Sequence, residues 1–122
     1  MIVFLALVYI FSAFIYFYTN KAGYSFLRYI WKKKNINIYL STEIFYLILT
    51  SFVVFTSNPL NWMVAILMFL HLLGIALLVA SPNSFYQMAE ESINLDSELM
   101  ENAVVMMFLI YAGIALFSRI LV

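Results

Sequence analysis

Apolar residues run along this chain in long unbroken stretches, and polar residues collect between them. Met1 to Tyr18 (MIVFLALVYIFSAFIYFY) carries no charged side chain. A second stretch covers about 37–57, a third Leu60 to Ala80, and a fourth about 103–122. Each approaches the roughly 20 residues that a helix needs to cross a bilayer. The runs lack the short alternating segments of a membrane barrel, so backbone hydrogen bonds must be closed within helices. The pattern predicts an all-α integral membrane protein: a single membrane domain over 1–122 with about four transmembrane helices. No basic segment precedes the first stretch, which predicts a retained helix rather than a signal peptide.

The connections differ sharply from one another. Ser57-Asn58-Pro59 is a turn signal, since proline breaks a helix and disfavours helix at the residue before it. The second and third spans are therefore expected to form an antiparallel hairpin. The segment NKAGYSFLRYIWKKKN suits an interfacial helix, with rings at the headgroups and lysine stems snorkelling. Between the third and fourth spans lies the one long polar segment, SPNSFYQMAEESINLDSELMEN.

Charge is partitioned between these connections. Lys21, Arg28, Lys32, Lys33 and Lys34 fall in the first, while Glu90, Glu91, Asp96, Glu98 and Glu101 fall in or beside the last. A basic loop is expected on the cytoplasmic or matrix side. Four spans then place the acidic segment on that side too, and both termini opposite. The two segments either pair with each other or stand separately solvated, since exposed ion pairs are weak.

Composition narrows the class. The chain is 66% hydrophobic and 10% charged, against about 25% charged in a soluble domain. It has no cysteine, which removes disulfides, thiol chemistry and iron–sulfur ligation. With net charge zero there is no general attraction to nucleic acid, and the expected surroundings are the lipid bilayer and other membrane subunits. Abundant Phe, Tyr, Ile, Asn and Lys beside scarce Gly and Pro suggests an AT-rich genome, such as that of a mitochondrion or a low-GC bacterium.

Two residues stand out as candidate chemistry. Glu43 is the one carboxylate inside the second stretch. An acid at the centre of a span costs about 3 kcal/mol on insertion scales, so such residues mark proton or ion pathways. The plain alternative is a side chain that snorkels to interfacial water. His71, the sole histidine, falls near the middle of the third span. It fits an interhelical hydrogen bond, a proton relay or, with a second histidine from elsewhere, a haem ligand. Helical rise puts Glu43 and His71 within about 5–6 Å of one another in depth, so both are assigned to a candidate proton path. The tyrosines, tryptophans and phenylalanines are assigned to lipid contact and packing rather than to a cofactor site. Gly74 and Gly113, each preceding Ile-Ala-Leu in a short internal repeat, are assigned to close helix packing. There is no nucleophile–base constellation, phosphate loop or metal-ligand cluster, so a non-catalytic role is expected, with no cofactor held by this chain.

Residues 32–85 resemble subunit 4L of NADH:ubiquinone oxidoreductase, the bacterial K-type subunit of respiratory complex I. The likeness is carried by Lys33-Lys34-Asn35-Ile36 followed by Leu40-Ser41-Thr42-Glu43-Ile44, and by Gly74-Ile75-Ala76-Leu77-Leu78-Val79 followed by Ser81-Pro82-Asn83-Ser84-Phe85. The sequence departs from the family where a second membrane glutamate is usual. Leu70 stands there with His71 beside it, and a C-terminal fourth span is added to the usual three. The resemblance implies a membrane-arm subunit coupling quinone reduction to proton translocation, with Glu43 as the retained carboxylate. It also implies a mitochondrial inner membrane or a bacterial plasma membrane. The alternatives are a small homo-oligomeric proton-coupled transporter and a structural anchor of another respiratory complex.

Overall fold

The structure, a computed structural model, describes residues 2–57 and 60–121, with Lys33 and Leu121 described by backbone alone. The expected turn at Asn58-Pro59, the Lys33 side chain, and the termini Met1 and Val122 lie outside the described residues. Six α-helices are seen among these residues: α1 (Ile2–Ala22), α2 (Phe26–Ile30), α3 (Ile36–Thr56), α4 (Trp62–Ala80), α5 (Pro82–Leu95) and α6 (Ser97–Leu121). A 3₁₀ turn, Lys33–Asn35, joins α2 to α3. Helices α1, α3, α4 and α6 are long and apolar enough to cross a membrane. The molecule is an all-α membrane protein.

Local chemistry sets the ends of the helices. α1 continues past Tyr18 to Ala22 and stops where Gly23 takes φ +93°. The Gly23 N–H donates to the Asn20 carbonyl and the Tyr24 N–H to the Thr19 carbonyl, a glycine-terminated cap that satisfies the last carbonyls. Ser25 then starts α2 by accepting from the Arg28 N–H at 3.1 Å. The expected interfacial helix is thereby reduced to α2 and the 3₁₀ turn, because its first residues belong to α1. Asn61 caps α4, accepting from the Val64 N–H at 3.2 Å. Asp96 accepts from the Leu99 N–H at 3.0 Å, so α6 begins at Ser97. The fourth span thus starts about six residues before the expected boundary, and Glu98 and Glu101 sit on a helix rather than in a loop.

The four long helices form a ring in which α1 packs against α6 and α3, and α4 packs against α3 and α6. The expected hairpin of the second and third spans is present as α3 and α4. The α1–α6 contact is the most extensive. It buries Ala6 and Ala13 on one helix and Ala112, Ala115 and Ser118 on the other. Small residues let helix backbones approach closely, which is how membrane helices gain packing without a hydrophobic driving force. At the outer end Asn61 Nδ2 donates to Ser118 Oγ at 3.0 Å, joining α4 to α6. Phe4, Phe11, Phe14, Ile48, Phe52 and Phe117 face outward, as lipid contact requires.

Helices α2 and α5 cover the inner end of the bundle. α2 buries Leu27 and Ile30, and the amphipathic α5 buries Tyr86 and Ala89. Burial also lifts the Tyr86 phenol above the ordinary tyrosine range. The basic and acidic segments do meet here. Lys21 Nζ lies 3.8 Å from Glu98, and Arg28 Nε 3.8 Å from Glu101. Both polar segments therefore share one end of the bundle. Single cysteines at the exposed positions Lys34 and Asn94, introduced into this cysteine-free chain, should label from the same face of sealed vesicles, the cytoplasmic or matrix face. Labelling of the two from opposite faces would refute this topology.

Candidate functional site

The ring brings polar or aromatic side chains from all four long helices to the bundle centre. Tyr9 on α1 is fully buried, and His71 on α4 is 4% exposed. The Tyr9 hydroxyl lies 2.7 Å from His71 Nε2. His71 Nδ1 lies 3.1 Å from Glu43 Oε2 on α3. Glu43 and His71, the two residues singled out from the sequence, are thus in direct contact, and Tyr9 extends them into a continuous chain of three groups.

The donors in this chain follow from its chemistry. If the carboxylate is ionised it only accepts, and Nδ1 then carries the proton toward Glu43. In a neutral imidazole Nε2 is then an acceptor, and the Tyr9 O–H donates to it. The rings of Tyr46 and Tyr9 lie stacked on the imidazole, with centroids 5.0 and 5.9 Å away, and Tyr111 meets it edge-on at 5.9 Å. Phe108 closes the cluster against Tyr9 and Tyr46. Tyr46 has its own partner, the Ser12 hydroxyl, which itself donates to the Val8 carbonyl at 2.8 Å.

Helix register gives the chain a direction. His71 is the middle residue of α4. Glu43 lies three residues to the inner side of the middle of α3, and Tyr9 three residues to the outer side of the middle of α1. At about 1.5 Å of rise per residue, the chain extends roughly 9 Å along the membrane normal. Its inner end borders a cavity of about 270 Å³ that reaches from α2 to Glu43. Outward of Tyr9 and His71 most buried side chains are apolar, among them Leu5, Val53, Val64, Leu67 and Ala115, and the buried polar ones, Thr50, Asn61 and Ser118, are hydrogen-bonded within the bundle. The arrangement permits a proton to move among three groups that are reached from the inner side.

Gly74 contributes by what it lacks. A Cβ there would stand 3.3 Å from Glu43 Oε2 and 3.5 Å from its carboxyl carbon. The absent side chain makes room for the carboxylate beside α4. Gly113 differs from the packing role expected of it, since no described atom comes within 4 Å of where its Cβ would be. It faces open space, so the internal repeat does not give the two glycines one role. Lys32 borders a groove between α2 and α5, and Lys34 is exposed.

The haem alternative fits poorly. Axial ligation would require a bare His71 nitrogen, and Nδ1 and Nε2 are both engaged beneath stacked rings. Among the described residues no three His, Asp or Glu side chains gather as a metal site would require.

Three contributors are not visible as such in the sequence. Tyr9 and Tyr46 look like any other aromatic residue of an apolar span. Glu101 reads as part of the acidic connection, yet it is 2% exposed. It accepts a short hydrogen bond from Ser25 and faces Arg28, while its Oε2 finds no hydrogen-bond partner among the described residues. A signal did exist, because Glu101, Phe108, Ala112 and Ala115 share one helical stripe once α6 is extended backward.

These features define a class: an all-helical membrane protein with a buried tyrosine–histidine–glutamate chain. Compared with protein families, curated proteins and solved structures, the sequence finds no match.

Because His71 is the sole histidine, nitrogen-15 histidine labelling reports it without ambiguity. With the imidazole neutral, the proton should reside on Nδ1, and Tyr9→Phe should shift the Nε2 resonance. A proton on Nε2 would reverse the assigned donors. A second expectation concerns Glu101. Glu101→Gln should cost about 1 kcal/mol, because it keeps an oxygen for the Ser25 hydroxyl but loses the charge assistance of that bond and the attraction to half-exposed Arg28. Glu101→Ala should cost about 2–3 kcal/mol through loss of the charge-assisted bond from Ser25. Reversible unfolding in mixed micelles measures both, and equal losses would show that charge rather than the hydrogen bond is what matters.

Proposed function

We propose that this chain carries protons part of the way across a membrane through Glu43, His71 and Tyr9, as a non-catalytic subunit of a larger assembly. The observation that carries this reading is the unbroken Tyr9–His71–Glu43 hydrogen-bond chain at the bundle centre. Stability alone is a poor reason for it. An acid placed centrally in a span costs about 3 kcal/mol, whereas interhelical hydrogen bonds in membranes average about 0.6 kcal/mol. Glu43 takes part in one of the two bonds, with His71, and one such bond does not offset the cost, so a selected function is the better account of the carboxylate. Histidine suits the central position because its two nitrogens can exchange roles as a proton passes.

The host assembly is proposed from the resemblance of residues 32–85 to subunit 4L. In that reading the chain belongs to the membrane arm of an NADH:ubiquinone oxidoreductase, in a mitochondrial inner membrane or a bacterial plasma membrane. Glu43 is then the family's carboxylate, and His71 stands in for the missing second one. The inner side supplies protons through the cavity beside Glu43, and the Tyr9 hydroxyl, whose one hydrogen bond among the described residues is to His71, ends the chain on the outer side.

Glu43→Gln keeps the shape and an accepting oxygen but removes the titratable group. It should assemble and translocate fewer protons per NADH oxidised in sealed vesicles, while Glu43→Asp retains part of the activity. His71→Gln should produce a comparable loss, and the double variant should be no worse than either single one, as expected of one coupled unit. Unchanged rate and stoichiometry in assembled Glu43→Gln would remove the proton-path reading. Purification in gentle detergent as a lone, monodisperse chain without NADH-oxidising partners would remove the subunit reading and leave the relay to be tested in liposomes.

A further inference from the structure

We infer that the cavity beside Glu43 is a binding site for a small organic cation of the quaternary-ammonium type. Tyr16, Trp31, Tyr39, Tyr46 and Phe108 are among its lining residues, with Glu43, and aliphatic and methionine side chains complete the wall. Among the described residues no lysine or arginine lines it, and Glu43 is its one acidic residue. Aromatic faces carry negative charge density that attracts a cation, most strongly when water is excluded, and cages of such rings recognise methylated ammonium groups. A carboxylate at one end of the cage adds direct charge complementarity. The Glu43 side chain keeps 17% of its surface exposed, so it remains accessible while its Oε2 contacts His71.

Size and ligand number narrow the choice. About 270 Å³ lies just below the range of drug-sized pockets, which begins at roughly 300 Å³. A calcium ion takes six to eight oxygen ligands, and the described residues gather no cluster of three metal-ligating side chains here. A neutral apolar molecule would leave the carboxylate without a partner of opposite charge. A compact alkylated ammonium group satisfies rings and carboxylate together. Two sources share that chemistry: a free amine, and the trimethylammonium head of a lipid reaching in past α2.

The wall itself supplies the readout. Trp31 and Trp62 are the two tryptophans of the chain, and Trp62 is exposed at the far end of the bundle. In a Trp62→Phe background, fluorescence reports Trp31 alone. With the full chain in phosphatidylglycerol nanodiscs, choline should change Trp31 emission saturably. Its neutral carbon isostere, 3,3-dimethyl-1-butanol, should bind at least about tenfold more weakly, as loss of a desolvated cation–π attraction predicts. Glu43→Gln should weaken choline by a similar factor. Ala103→Phe, which fills the cavity from α6 and leaves Glu43 and His71 in place, should abolish the response.

Equal binding of choline and the isostere would overturn the inference, as would the absence of any saturable response in a natively helical protein. A full response in Ala103→Phe would also overturn it, by placing the binding elsewhere. Replacing the lipid with phosphatidylcholine separates the sources. Competition with choline identifies a lipid head as the occupant, and unchanged affinity identifies a free amine, the site standing in either case. Binding is read without a proton gradient, so its failure leaves the relay untouched, and failure of the relay leaves the cation site untouched.

Discussion

The contact between His71 and Glu43 is the constraint around which the bundle is arranged. Neither group can be left unpaired in an apolar interior, because hydrocarbon offers no water to replace a missing partner. Each therefore fixes the rotation of its helix. α3 must turn Glu43 toward α4, and α4 must turn His71 toward the bundle axis. Gly74 must lie one turn after His71 so that the carboxylate has room. Tyr9 then fixes α1 through its bond to Nε2. Three of the four spans are oriented by one chain of two hydrogen bonds.

The fourth span is held by other means. α6 presents Ala112, Ala115 and Ser118 as a small-residue face, and Phe108 and Tyr111 as rings that complete the central cluster. Its ends are fastened separately, by the Asn61–Ser118 bond at the outer end and by Glu101 with Ser25 and Arg28 at the inner end. These polar ties lie near the two ends of the bundle. Between them stands the aromatic cluster, and against its inner side the cavity. Tyr46, which stacks on His71, and Phe108, which packs against Tyr46, also line that cavity.

The two ends of the bundle have different chemistry. Outward, small and branched side chains pack around a few hydrogen-bonded polar groups, Thr50, Asn61 and Ser118. Inward, short helices α2 and α5 lie across the spans, and opposite charges meet at their edges. A carboxylate bordered by a cavity toward the inner end is the physical basis of the inner access proposed for the relay. It also explains why Glu43 can belong to a proton chain and to a binding cavity at once.

The sequence by itself determined the class, the approximate spans and the two principal groups. Long apolar runs admit no backbone solution but helices, and an acid or imidazole in such a run stands out because burying it is costly. It also showed that the basic and acidic segments share one end, since four spans leave no other topology. The tertiary structure alone decided which side chains meet. Tyr9 differs from Phe11 or Tyr18 not in composition but in which way α1 is turned, and in membrane helices both lipid-facing and buried positions are apolar, so periodicity carries little rotational signal. Glu101 was hidden because the start of α6 depends on a cap at Asp96, and Gly74 and Gly113 look alike until a carboxylate is found beside one of them. Chemistry is written residue by residue along the chain, but contact across the bundle depends on helix rotation, and that is fixed only when all four helices pack.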